Sequence, residues 1–224
     1  MTLRTNARVA GFTLLFYIAS GVASLSLFGR AAGGEGVAEK LGAIARHATD
    51  VRLTVLLVLS QGLSALVLAV TLRALTREVD RDLALLGFAC RLVEGVTGVF
   101  VARSLGLLWL ATAGSEAADA GAARVLGAFL LRMGAWNAGA TFFAVGSAVF
   151  SWLFLRGRLI PAALAWLGVI ASVLLVAILP LQLAGLLGGP LTQYVWLPML
   201  VFEVALALWL IVRGVAVAKS EQPG

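Results

Sequence analysis

Cysteine and histidine are nearly absent from this chain: Cys90 and His47 are the single examples of each among 224 residues. One cysteine excludes a disulfide framework, a zinc-type spacing and a dithiol redox pair, and its setting in the apolar run GFACRLV reads as packing. One histidine, beside Arg46, brings no partners for a metal site and no Ser–His or Cys–His pair for nucleophilic catalysis. Charge is scarce as well, at 12% Asp, Glu, Lys and Arg. That leaves no segment for a separate soluble domain and no acidic cluster of the kind a metal-dependent phosphotransferase needs. No cofactor or metal is called for.

What is there instead is apolar. Hydrophobic residues make up 61% of the chain and mean hydropathy is +1.02, the composition of a polytopic membrane protein. The length has room for about half a dozen spans of roughly 20 residues. The apolar segments that fit are residues 9–28, 53–75, 83–111, 125–155, 159–183 and 194–212. Arg4 and Arg8 precede the first, whose apolar core is too long for a signal-peptide h-region and reads as a retained anchor. The expectation is an all-α membrane protein, a single six-transmembrane helix bundle over residues 1–224.

The net charge of +6 is no nucleic-acid signal, because the basic residues gather at span ends, where they meet lipid headgroups and set orientation. With a cytoplasmic N-terminus, Arg4, Arg8, Arg73, Arg77, Arg81, Arg156, Arg158, Arg213 and Lys219 lie inside. They outnumber Arg30, Lys40, Arg46, Arg52 and Arg124 outside. Both termini are therefore expected in the cytoplasm, with the short loops TLRALTREVDRD and LRGRLIP facing it. The first outer loop, residues 29–52, opens with the flexible GRAAGGEG and continues at helical spacing through Val37, Leu41, Ile44, Ala45 and Ala48. This predicts a short amphipathic helix, either lying on the outer surface or acting as a lid over the bundle's outer mouth.

The chemistry sits in the few charges inside spans. In LLGFACRLVEGVTG, Arg91 and Glu94 lie about 60° apart on a helix, in a sector shared with Gly87, Gly95, Gly98 and Ala102. Small residues let another helix approach and cover the charges with protein. Arg103, Arg132 and Glu203 are also within spans. A charge at the bilayer centre costs about 2.5–3.5 kcal/mol on insertion scales, so each must be paired, hydrated or bound. Depth suggests Arg91 shared between Glu94 and Glu203, with Arg103, Arg132 and the span-end Arg52 lining a cavity open to the outer side. Gln61, Asn137 and Thr141 are at compatible depth to extend that lining. The bland alternatives are a packing strut for Arg91 and Glu94, and snorkelling to headgroups for Arg103 and Arg132.

The blocks NARVAGFTLLFYIASGV, TLRALTREVDRDLALLGFACRLVEG, FFAVGSAVFSWLFLRGRLIPAALAWLGVIASV and PMLVFEVALALWLIVRGV, in that order, resemble the bacterial membrane family catalogued as domain of unknown function 4386. The resemblance spans almost the whole chain and implies six spans in a bacterial inner membrane, with Arg91, Glu94 and Glu203 in the family pattern. The chain departs from that pattern at Ala162, where an arginine is usual after the Pro of LIP, and His47 lies outside it.

Three function classes stay open. The bundle binds or carries a lipid or other amphiphile in an outward-facing cavity; it is an accessory or structural membrane protein; or it is an intramembrane enzyme with Glu94 or Glu203 as acid or base. Membrane lipids are the expected partners, and no pattern sets an oligomeric state.

Overall fold

The computed structural model describes residues 2–96, 99–112, 120–133, 138–189 and 194–216. Their regular structure is helical: α1 (Leu3–Ala31), α2 (Val37–Arg46), α3 (Ala48–Thr76), α4 (Arg81–Val96), α5 (Val99–Thr112), α6 (Ala120–Arg132), α7 (Ala138–Arg156), α8 (Ala162–Leu183) and α9 (Leu197–Val212). Away from their ends, helices satisfy their backbone donors and acceptors internally, which the hydrocarbon core demands. Five stretches are long and apolar enough to cross a bilayer: α1, α3, Arg81–Thr112, α7 and α8. The apolar α9 has 16 residues, roughly 24 Å of helix against a hydrocarbon core of about 30 Å. The protein is an all-α, multi-span membrane helix bundle. The segment expected to run over 125–155 is divided between α6 and α7, and residues 134–137 lie outside those described.

The chain forms two compact units, one of Met1–Phe16, Ser64–Val96 and Ala138–Gly224, the other of Tyr17–Leu63 and Thr97–Asn137. In the first, α7 packs along both α4 and α8, and α9 lies against α8. The buried face of α7 carries Gly139, Ala140, Ala144, Gly146, Ser147 and Ser151. Such small residues let backbones approach closely, and in lipid that packing is what holds helices together. At Gly146 an added Cβ would lie 3.1 Å from Cys90 Cβ and 3.4 Å from the Gly87 carbonyl oxygen. At Gly168 of α8 it would come within 2.5 Å of the Phe202 ring and 2.6 Å of Ser151 Oγ.

The two basic loops of this unit are tied together. Asp80 accepts a hydrogen bond from the Leu83 N–H at 3.1 Å, capping α4, and its other oxygen accepts one from Arg156 Nη1 at 3.1 Å. α7 ends in a Schellman turn: the Leu159 N–H donates to the Phe154 carbonyl at 3.0 Å and the Arg158 N–H to that of Leu155 at 3.1 Å. Arg158 takes the left-handed backbone there, with φ 50°, where glycine is the usual residue.

The second unit is built on Ala31, Ile44, Val51, Leu107 and Leu108, with Phe28, Leu41, Leu130 and Leu131 packed against them. α2 packs on α5 and α6, burying Ala43 and Ile44 and leaving Glu39 and Arg46 exposed. Ala45, expected on the apolar face, is exposed. The helix is rotated so that Ala43 takes its place, because contact with neighbouring helices narrows the buried arc to the side facing them.

Candidate functional site

The buried charges of the first unit meet around Arg91. The i, i+3 spacing on α4 puts Glu94 one turn on, and Arg91 Nη1 donates to Glu94 Oε2 at 2.8 Å. From α9, Glu203 brings Oε1 to 3.6 Å from Arg91 Nη2. The side chains of Arg91, Glu94 and Glu203 are only 3%, 8% and 9% exposed, so solvent screens these contacts little. The guanidinium carbon lies 4.7 Å from the centroid of the Phe143 ring on α7, a cation–π contact, and Phe143 leans on Trp196 with ring centroids 5.9 Å apart. Gly146 makes room for the arginine stem: its Cβ position is 3.6 Å from Arg91 Cγ.

Two hydroxyls on α7 add to this picture. Ser147 and Ser151 are 5% and 1% exposed, and their Oγ atoms have no hydrogen-bond partner. Ser147 is one turn from Phe143, on the side of α7 that meets Arg91; Ser151, a turn further, faces Gly168 and Phe202. Buried polar groups are nearly always bonded to protein or water. Neither serine stands out in the sequence as a site residue. The available signal is their i, i+4 spacing in GSAVFS within an otherwise apolar span.

A family model matches residues 9–214. The chain belongs to the DUF4386 family, a domain of unknown function. Arg91, Glu94 and Glu203 all fall within the matched region. Neither a curated protein nor a solved structure matches the chain.

Apart from Thr141, the remaining charged and polar candidates of this DUF4386 domain belong to the second unit. Arg103 donates its Nε–H to the Leu130 carbonyl at 3.0 Å, and its guanidinium carbon lies 4.4 Å from the Phe28 ring centroid. Leu130 is in the last turn of α6, where carbonyls lack helical partners and a cation is favoured. Gln61 donates to the Tyr17 carbonyl at 3.3 Å. Arg52 and Arg132 are exposed, and Asn137 lies outside the described residues.

Thr141, in the first unit, lines an apolar groove of about 390 Å³ with Ala138, Phe142, Pro180, Leu183 and Ala184. Thr141 is on the opposite side of α7 from Phe143 at about 100° per residue, so this groove does not face the ion cluster. Among the described residues, no three His, Cys, Asp or Glu side chains are grouped to hold a metal ion.

Proposed function

We propose that this DUF4386 protein binds an amphiphile within its transmembrane bundle, and that Arg91, Glu94 and Glu203 form the polar end of the site. One observation carries the reading: two carboxylates are buried beside one guanidinium. A second buried carboxyl beside one guanidinium costs several kcal/mol unless a proton, a donor or a ligand compensates it. A ligand head group supplies that compensation. The buried hydroxyls of Ser147 and Ser151 support the reading by offering further hydrogen bonds nearby. Exposed apolar residues such as Phe12, Val70, Ile170 and Val173 provide the surface for membrane lipids. The setting we propose is a bacterial inner membrane, as the family resemblance implies, with both termini in the cytoplasm, as the distribution of Lys and Arg suggests.

Native mass spectrometry of protein extracted in mild detergent tests this. An amphiphile should remain bound to the unaltered protein and be lost from Glu203→Gln at unchanged secondary structure. An empty bundle, or occupancy indifferent to Glu203, would sink the proposal. The close Arg91–Glu94 pair favours a second reading, a structural tie in an accessory protein. On that reading Glu203→Gln lowers the unfolding temperature and changes no ligand.

A further inference from the structure

We infer that the amphiphile is a monocation whose charged head group seats against Glu203, a proposal that rests on the amphiphile reading above and gives it a charge class. With both carboxyls ionised, Arg91 contributes one positive charge and Glu94 and Glu203 two negative ones; the surplus is met either by a proton on a carboxyl or by a cation that displaces it. Among the described residues the neighbouring helices do not restore the balance: Arg4 and Arg8 of α1 and Arg81 of α4 are exposed, and Arg73 of α3 lies over the Phe88 ring at 6.0 Å. On α7 the charged residue is Arg156, which is held by Asp80. α8 has no charged residue, and Glu203 is the charged residue of α9. The cluster is therefore one positive charge short. An anionic head would deepen the deficit and a neutral one would leave it.

The arginines point the same way. Arg91 is committed to Glu94 at 2.8 Å and stacked on Phe143. In the second unit, Arg103 is committed to the Leu130 carbonyl and the Phe28 ring. Glu203 is the looser member: its 3.6 Å approach to Arg91 is longer than a hydrogen bond, and a carboxylate has acceptor positions for more than one donor. Phe143, beneath the Arg91 guanidinium, and Trp196 against it place aromatic rings in the cluster, and such rings attract organic cations. The 5%-exposed, unpartnered Ser147 hydroxyl on the same side of α7 supplies a neutral acceptor. A bound metal ion is a poorer match, since the two acids share the site with a guanidinium and no third ligand joins them among the described residues.

The test is a pair of probes of nearly equal shape and opposite charge, tetraphenylphosphonium and tetraphenylborate, titrated into detergent-solubilised protein by calorimetry. The phosphonium should bind, and at least tenfold more weakly to Glu203→Gln; the borate should not bind. Glu94→Gln removes the same surplus from the other acid and should give a similar loss, so the proposal stays testable if Glu203→Gln does not fold. Borate binding as strong as phosphonium binding would overturn the charge class while leaving an amphiphile site standing. Phosphonium affinity unchanged in the folded Gln variants would likewise overturn it. If neither probe binds, the amphiphile reading falls with it.

Discussion

Arg91 Nη2 stands 3.6 Å from Glu203 Oε1, joining α4 to α9. The contact brings a second acid to a guanidinium that Glu94 already holds at 2.8 Å. Arg91→Leu strands both carboxylates, and breaking a buried ionic cluster in this way costs about 3–5 kcal/mol. Reversible unfolding in mixed micelles measures it. A loss below about 1 kcal/mol would show that the acids do not depend on Arg91.

Phosphonium binding should weaken as pH falls. A carboxyl that takes up a proton loses the charge that holds the cation, so proton and cation compete; affinity rises with pH and declines on acidification. Titrations over a pH series check the sign. Affinity that increases on acidification contradicts the cation site.

Gly168→Ala drives a methyl into the Phe202 ring, 2.5 Å from the Cβ position, and into Ser151 Oγ at 2.6 Å. Overpacking of this kind costs about 1–3 kcal/mol. Because Phe202 adjoins Glu203, the expected signature is a lower melting temperature together with weaker phosphonium binding. Unchanged stability would mean that α8 and α9 separate freely.

Arg158→Gly should stabilise the protein by about 0.5–1 kcal/mol, by relieving a left-handed backbone at a residue with a Cβ, less the entropy glycine adds to the unfolded chain. Thermal unfolding reads the gain. A lower midpoint would mean that the Arg158 side chain contributes more than its backbone costs.

Arg103→Met removes a charged donor from the Leu130 carbonyl and the stacking on Phe28. The expected loss is about 1.5–3 kcal/mol, with phosphonium binding unchanged. A large fall in cation affinity would assign Arg103 to the ligand site.

Much of the architecture is written locally. Apolar run length marks the membrane segments, and Arg91 and Glu94 meet because i, i+3 side chains on one helix are neighbours. Residues separated along the chain were harder to place. The donor on Arg103 goes to a backbone carbonyl of α6, and carbonyls are common to every residue, so no side-chain pattern announces it. Ala43 replaces Ala45 on the buried side of α2 because the helix rotates to fit α5 and α6, and both alanines satisfy the same hydropathy.

The sequence by itself determined that this is a multi-span helical membrane protein carrying a few costly intramembrane charges, because transfer from water to hydrocarbon depends on composition and run length alone. Depth along the spans suggested Glu203 as the second acid; only the tertiary structure decided its 3.6 Å approach to Arg91 and that the Ser147 hydroxyl is sealed in without a partner. Those outcomes depend on which helix faces meet, and close approaches at Gly146 and Gly168 set that in three dimensions.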